Sequence, residues 1–165
     1  MTAIRQATEA DIPLLYGLRA GKTPGYFERC LEEQRDGRRQ VFIVALAGDA
    51  AYGMLNWQPQ YALYKKLGMP EIQDIYVIPR ARRQGAAGAL IAHCENLARE
   101  KNCEHIGISV GLYADYGPAQ RLYAKLGYLP DGYGITYDRL PVTLGEIRPV
   151  DDNLCLMMVK SLYRD

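Results

Sequence analysis

The feature of this sequence that most constrains its fold is a change of hydrophobic period between residues 72 and 98. Residues 72–79 form a short apolar run that ends at a proline, which is typical of a strand. From residue 87 the apolar positions recur three, four and seven residues apart, which indicates one buried face of a helix ending near residue 101. Such a strand and helix bury their apolar sides by packing against each other, so the pattern predicts an α/β fold.

Segments of both periods cover the rest of the chain. The pattern predicts helices that begin near Thr8, Thr23 and Pro118, and strands at residues 4–7, 41–47, 51–57, 106–110, from 128 onward and 154–159. Residues 58–70 and 130–152 are rich in turn-forming and polar residues, and we expect them to be loops. The predicted order is β-α-α-β-β-β-α-β-α-β-β. With 165 residues and no internal repeat, it predicts a single domain over residues 1–165, a mixed α+β sheet of the α/β class with helices on its faces.

Charge and composition exclude several classes of protein. Twenty Lys and Arg residues balance nineteen Asp and Glu residues, and the formal net charge of +1 argues against a nucleic acid or an anionic membrane as the primary partner. No apolar run approaches the roughly 20 residues that cross a bilayer. The four cysteines are widely spaced and no secretory signal is evident, so we expect a cytoplasmic protein with reduced thiols. Neither His93 nor His105 has a second ligand at helical spacing, and no metal site is expected.

The turn between the strand at 72–79 and the following helix has the chemistry of an anion site. Backbone N–H groups at a helix start lack intrahelical partners, and the helix dipole favours negative charge there. Gly85 and Gly88 leave room for a phosphate to approach, and Arg82 and Arg83 can add charged hydrogen bonds. The spacing matches neither a Rossmann fingerprint nor a P-loop. The turn therefore predicts a pyrophosphate site, the alternative being a small-residue helix start that only packs tightly on the sheet.

Two segments resemble motifs of one enzyme family. Residues Arg82-Arg83-Gln84-Gly85-Ala86-Ala87 resemble the Q/R-x-x-G-x-G/A acetyl-CoA motif of the GNAT N-acetyltransferases. Residues Pro118 to Tyr128 resemble the downstream A-x-x-L-Y-x-K-x-G-F/Y segment of that family. Because both motifs occur in the family's order and the predicted elements agree with its fold, the chain is identified as a member of the GNAT family. One departure is Tyr116, which stands where many members carry an asparagine that contacts the cofactor.

The resemblance implies an acyl-CoA N-acyltransferase fold with a splayed central sheet. The strands at 72–79 and 106–110 are expected to separate at their carboxyl ends, where the pantetheine arm of acetyl-CoA bonds to exposed backbone much as an added strand does. Acetyl-CoA is the implied cosubstrate, with no metal. The residues expected to bind it are Tyr76, Val77, Arg82, Arg83, Gln84, Gly85, Ala86, Ala87, Gly88, Tyr116, Ala119 and Lys125.

The implied activity is direct transfer of the acetyl group to a primary amine through a tetrahedral intermediate. A lysine-like amine has a reference pKa of about 10.4 and must lose a proton before it attacks; Asp74 is the candidate base, with Glu71 in reserve. Tyr123 matches the family's tyrosine and is the candidate general acid for the departing thiolate. A backbone N–H near Val77 can stabilise the oxyanion. Both side chains also have structural interpretations, Asp74 as an ion-paired carboxylate and Tyr123 as a core residue.

The acceptor is less defined. Thirteen tyrosines against two phenylalanines suit the half-wet walls of a binding site. Trp57, Tyr61 and Asp74 are the candidate acceptor contacts, and ordinary packing is an equal interpretation for the two aromatic residues. The acceptor class stays open among a small metabolite, an antibiotic amine, and a peptide N-terminus or lysine. The oligomeric state stays open, although homodimers are common among relatives.

Two other function classes remain as alternatives. One is a non-catalytic acyl-CoA sensor of the same fold, which has no need of an acid and a base such as Tyr123 and Asp74. The other is a nucleic-acid-binding domain, which predicts a basic face and an affinity that depends on salt. The near-neutral net charge makes the second alternative remote.

Overall fold

A computed structural model describes residues 3–163 of the chain. In chain order its helices and strands are β1 (Ile4–Gln6), α1 (Ile12–Leu18), α2 (Tyr26–Arg35), β2 (Arg39–Leu46), β3 (Asp49–Asn56), α3 (Ala62–Lys66), β4 (Glu71–Val77), α4 (Ala86–Glu100), β5 (His105–Gly111), α5 (Gly117–Lys125), β6 (Leu129–Tyr137), β7 (Leu140–Pro141) and β8 (Leu154–Ser161). The predicted α/β class, a mixed sheet flanked by helices, is confirmed.

The described residues group into two compact units. The first unit contains the residues up to Gln58 together with Ile72–Leu97, and the second contains Pro59–Glu71 together with the residues from Ala98 onward. Each unit has its own set of strands and its own apolar cluster.

The first unit holds the strands in the order β1-β2-β3-β4. Strands β2 and β3 form an antiparallel hairpin in which Leu46 lies opposite Asp49, and β1 pairs antiparallel with β2. Nearly all of β3 is buried, as is typical of a strand covered on both faces. The core under α1 and α2 centres on Phe27, whose ring makes edge-to-face contacts with Tyr16, Tyr26 and Tyr52.

The second unit holds β5, β8, β6 and β7 in that order, with antiparallel pairing throughout. Tyr64 of α3 is fully buried, and its hydroxyl donates to the carbonyl oxygen of Met158 at 2.5 Å. A Cβ atom at Gly107 would lie 2.4 Å from the Tyr64 ring, so glycine is required there for the close approach. Tyr64 and Gly107 together fix α3 on the sheet.

The two predicted loops are wrong in part. Residues 58–70 contain α3, because burial of Tyr64 stabilises a helical turn that is too short to show a period in the sequence. Residues 130–152 contain most of β6 and all of β7. The β6–β8 register shifts between Pro130 and Ile135, where two glycines have positive φ, and this irregularity gives the strand a loop-like composition.

The predicted boundaries elsewhere are close to the observed ones. The strand predicted at 72–79 spans Glu71–Val77 and is followed by a 3₁₀ turn at Pro79–Ala81. Thr8 precedes a 3₁₀ turn and not α1 itself, and its backbone N–H donates to the Asp11 carboxylate at 2.8 Å. No helix between residues 3 and 163 combines the length and the hydropathy needed to span a bilayer.

Candidate active site

The turn that leads into α4 is open on its outer side. Arg83 and Gly85 have positive φ values of 63° and 84°, and no positive value occurs at Gln84 between them, an alternation that turns successive N–H groups toward one side. A Cβ atom built on Gly85 or Gly88 meets nothing within 4 Å. The first backbone bond across the helix start is donated by Ala89 to the Gly85 carbonyl at 2.9 Å. Residues 83–88 therefore satisfy the requirements of a phosphate cradle, with room for a ligand beside the backbone.

One side chain of this turn packs against the sheet, and others are exposed. Ala86 is buried and fixes the start of α4 on the sheet, whereas Arg83 and Gln84 are exposed. Arg82 folds back, and its Nε donates to the carbonyl oxygen of Val77 at 2.9 Å. Tight packing at Ala86 therefore does not exclude the predicted anion site, because the neighbouring residues of the turn remain exposed.

Asp74 lies in the middle of β4 in a conformation that side chains rarely adopt. Its φ is +51°, in the left-handed region, where a residue with a Cβ atom is strained. Its side chain is only 11% exposed. The hydroxyls of Tyr26 and Tyr52 both donate to its Oδ2, at 3.0 and 2.8 Å. Strain of this kind persists where surrounding contacts hold it, and it concentrates at functional sites.

The two oxygens of Asp74 differ in their partners. Oδ2 carries the two tyrosine hydrogen bonds and lies 3.4 Å from Lys22 Nζ. Oδ1 has only Arg19 Nη1 at 3.9 Å and accepts no hydrogen bond within residues 3–163. Burial and the charge of Asp74 raise the pKa of both tyrosines well above that of free tyrosine, so they remain donors. Oδ1 is consequently the oxygen with lone pairs available for a proton.

Glu71, the reserve base, has a different environment. Its side chain is fully buried, and Arg139 Nη2 binds its Oε1 at 2.9 Å. Desolvation lowers the pKa of Arg139, but the charge and hydrogen bond of Glu71, together with smaller effects of neighbouring groups, outweigh it, and the net pKa is raised. The carboxylate is therefore held in a closed ion pair, which favours Asp74 as the base.

Tyr123 lies on α5 in the second unit and is 8% exposed. Burial raises the pKa of its hydroxyl to about 12, so it is protonated at neutral pH. Within the described part of the chain this hydroxyl makes no hydrogen bond, yet its oxygen is not fully enclosed. A protonated hydroxyl without a competing partner can act as a general acid.

The other predicted cofactor contacts lie on both units. Tyr76 and Val77 are half-buried at the end of β4, and Tyr76 packs under the Arg19 guanidinium at 4.6 Å. Ala119 is half-buried and Lys125 exposed on α5 in the second unit.

Tyr116, at the family's asparagine position, is held in place by a carboxylate that sequence analysis missed. Its hydroxyl donates to Asp152 Oδ1 at 2.9 Å, and Tyr113 donates to the same oxygen at 2.5 Å. Burial and the charge of Asp152 raise the pKa of Tyr116. A Cβ atom at Gly111 would lie 2.4 Å from the Tyr116 ring, so the glycine that ends β5 was the available sequence signal.

The two aromatic acceptor candidates belong to different units. Trp57 is half-buried in the first unit, and its Nε1 donates to Gln40 Oε1 at 2.9 Å. Tyr61 is 4% exposed in the second unit, and its hydroxyl donates to Asp131 at 2.5 Å. The residues that surround Asp74 were likewise not predicted from the sequence: Arg19, Lys22, Tyr26 and Tyr52. Among the residues that the structure describes, no three His, Cys, Asp or Glu side chains form a group able to hold a metal ion.

Comparisons with known proteins agree with the motifs. Residues 9–128 match the model of the Acetyltransferase (GNAT) family. Among curated proteins, none matches this sequence.

Several solved structures share the fold at low sequence identity. The ribosomal-protein-S18-alanine N-acetyltransferase from Escherichia coli is 18% identical, with a TM-score of 0.67 over 100% of this chain and 96% of that one. A spermidine/spermine N-acetyltransferase from Vibrio cholerae is 15% identical, with a TM-score of 0.68 over 98% and 92%. A GNAT-family acetyltransferase from Staphylococcus aureus is 14% identical, with a TM-score of 0.65 over 98% and 99%. The family match covers most of the chain, and the protein therefore belongs to the GNAT acetyltransferase family.

Proposed function

We propose that this protein transfers the acetyl group of acetyl-CoA directly to the nitrogen of a primary amine. The observation that carries the proposal is the Asp74 carboxylate, which has one oxygen bound by two tyrosines and the other open, on the strand that leads into the phosphate-binding turn. The N-acetyltransferases from Escherichia coli and Vibrio cholerae, which share the fold, support an amine acceptor.

The turn at residues 83–88 holds the pyrophosphate in this proposal. Acetyl-CoA supplies an activated acetyl thioester when it is bound. The open space beside Gly85 and Gly88 admits the phosphates, and the exposed Arg83 adds charge. The backbone N–H near Val77 serves as a donor to the carbonyl oxygen that gains negative charge. Tyr76, Tyr116, Ala119 and Lys125 contact other parts of the cosubstrate.

Asp74 and Tyr123 move the protons. Asp74 Oδ1 accepts the proton that the amine nitrogen loses, through a water molecule, while Oδ2 stays bound to the two tyrosines. The Tyr123 hydroxyl gives its proton to the departing sulfur and regains one from solvent. The raised pKa of Tyr123, about 12, ensures that the hydroxyl is protonated when the sulfur departs.

Three further statements belong to the proposal. The chain forms one domain over residues 1–165, since the family match runs from residue 9 to residue 128 through segments of both units. The protein is cytoplasmic, in agreement with four free cysteines. It forms a homodimer, as is common among relatives.

Release of free CoA, measured with a thiol reagent across a panel of amines, tests the proposal. We expect release that depends on both acetyl-CoA and an amine, with an acetylated product of matching mass. Binding of CoA without turnover on any amine contradicts the proposal and supports the sensor alternative. The panel should span amino acids, polyamines, aminoglycosides and peptides with free N-termini, which are the acceptor classes left open.

A further inference from the structure

The loop between α1 and α2 places two cationic side chains beside Asp74. Arg19 follows the last residue of α1, and its backbone N–H donates to Leu15 at 3.0 Å; the Lys22 N–H donates to the Arg19 carbonyl at 3.1 Å. This turn brings both side chains to the same carboxylate, where they are 31% and 24% exposed. Both cations are therefore held at the site and remain reachable from outside.

The hydrogen-bonding capacity of Arg19 is unused. Its Nη1 lies 3.9 Å from Asp74 Oδ1, too far for a hydrogen bond, and within the described residues its guanidinium donates no hydrogen bond. The group lies over the Tyr76 ring at 4.6 Å, which holds it in place, and the Arg19 side chain remains 31% exposed. A guanidinium held in this way suits a planar anion that binds two N–H groups at once, and a carboxylate is such an anion.

The charges around Asp74 also favour an anionic group. Arg19 and Lys22 contribute two positive charges and Asp74 one negative charge, so the cluster has a formal excess of one positive charge (2 − 1). The nearby Arg39 is already paired with Glu33 at 2.6 Å. Tyr26 and Tyr52 stay neutral because their pKa values are raised. An acceptor with several positive charges is repelled here, whereas one with a carboxylate next to its amine neutralises the excess.

We propose that the acceptor is a free α-amino acid or a close analogue. Arg19 binds its carboxylate through two N–H groups, Lys22 adds charge, and Asp74 Oδ1 receives the proton of the adjacent amine. This inference rests on the proposed acetyltransferase function. It distinguishes a free amino acid from a peptide N-terminus, whose neighbouring group is an uncharged amide, and from a polyamine.

Matched acceptor sets test the inference. Each set contains an amino acid, its amide and the amine that lacks the carboxylate, for every side chain available, and spermidine is added as a polycation. We expect kcat/KM for the preferred amino acid to exceed the values for its amide and its amine by about tenfold or more, because neither of these offers Arg19 a negatively charged partner. Equal or faster turnover of the amide, the amine or spermidine overturns the inference and leaves the proposed function intact.

Substitution of Arg19 tests whether this residue binds the carboxylate of the acceptor. Arg19→Gln should lower kcat/KM for the amino acid about 10- to 100-fold, mainly through KM, with little change for the amine of the same set. Arg38→Gln is the matched control, since Arg38 is an exposed arginine whose side chain pairs with Asp36. Melting temperature and acetyl-CoA affinity, measured on both variants, exclude misfolding. An equal loss on amino acid and amine overturns the role of Arg19.

A binding measurement separates failure of this inference from failure of the proposed function. If no amine in the panel releases CoA, the acetyltransferase proposal is refuted. Calorimetric titration of the amino acids into CoA-saturated protein then decides the inference by itself. Binding that Arg19→Gln weakens about tenfold or more supports a carboxylate site, and absence of binding overturns it.

Discussion

Glu71 and Asp74 are two carboxylates on the same strand, three positions apart, with opposite environments. Glu71 is fully buried, and the positive charge of its partner Arg139 balances its negative charge. Asp74 is partly reachable, has one oxygen without a hydrogen bond, and has two cations beside it, one of which donates no hydrogen bond within the described residues. The comparison shows that a carboxylate becomes available for chemistry when its contacts fix its position but leave a lone pair unused.

The two sites also use strain differently. Asp74 has a left-handed φ within β4, and two tyrosine hydroxyls hold it there. The ion pair of Glu71 instead holds the turn between β6 and β7, where Asp138 and Arg139 both have positive φ although neither is glycine. In one region the strained residue is the proposed base, and in the other the strained residues belong to a turn that the ion pair holds.

Substitution of each carboxylate by its amide gives the sharpest test of this difference. Asp74→Asn should lower kcat about 10²- to 10⁴-fold, the usual contribution of a general base, because the amide cannot accept the amine proton. Its melting temperature should change little, since the amide oxygen still accepts from Tyr26 and Tyr52. Steady-state kinetics and thermal unfolding measure the two effects. Unchanged turnover would remove Asp74 from the mechanism.

Glu71→Gln should show the reverse result. Loss of the negative charge leaves the largely buried Arg139 uncompensated, and we expect the free energy of unfolding to fall by about 3 kcal/mol. Turnover per folded molecule should stay within about threefold of the original protein, because breaking the ion pair leaves the two proposed proton-transfer groups in place. Chemical denaturation and kinetics at low temperature check both values. A loss of kcat without a loss of stability would indicate that Glu71, and not Asp74, is the base.

The turn at 83–88 is also open, because there is free space beside Gly85, and we expect a side chain placed there to block CoA binding. Gly85→Glu should weaken CoA binding at least about 100-fold, because it places bulk and negative charge where the phosphates bind. Gly48→Glu is the control: Gly48 also has a positive φ, 76°, and also faces open space, but it lies in the β2–β3 turn. Calorimetry with CoA compares the two variants. Equal loss in both would indicate backbone strain and not an anion site.

Tyr123→Phe should lower kcat about 10- to 100-fold, less than Asp74→Asn does, with little change in CoA affinity. Tyr163→Phe, at an exposed tyrosine, should leave kcat unchanged. An equal kcat in Tyr123→Phe and the original protein would leave Tyr123 as a core residue only.

The raised pKa of Tyr123 adds a test by pH. Free tyrosine loses its proton near pH 10, but this hydroxyl keeps it until about pH 12. Turnover that depends on the protonated form should therefore not fall between pH 8 and 10. The same shift stabilises the fold below pH 10, and this contribution is lost as the pH rises through 12. A decline in kcat with a midpoint near 10, absent from Tyr123→Phe, would contradict the buried location of the acid.

Much of the architecture followed from hydrophobic period and turn residues. The helix at Ala86–Glu100 and the strands around it were predicted within about two residues, because each buries a continuous apolar face. Helix α3 and most of β6 were predicted as loop, for a physical reason. Helix α3 owes its stability to the single buried ring of Tyr64, and the β6 strand is interrupted by a register shift, so neither carries a local period.

The site shows the same division between local and distant information. A motif of consecutive residues, such as the turn at 83–88, is legible in the sequence because its backbone conformation depends on its own glycines and small side chains. The partners of Asp74 cannot be predicted from the sequence, since Tyr26 and Tyr52 lie 48 and 22 residues away along the chain. No spacing rule connects residues that meet only when helix and sheet pack.

The sequence by itself determined the fold class and the family, and it indicated the segment that we propose to bind a diphosphate, because these depend on local period and on runs of neighbouring residues. Only the tertiary structure decided which carboxylate of β4 is open, that Arg19 and Lys22 stand beside it, and that Glu71 is closed by Arg139. The reason is that availability for chemistry is a property of unused lone pairs and donors, and these are counted only after distant parts of the chain have come into contact.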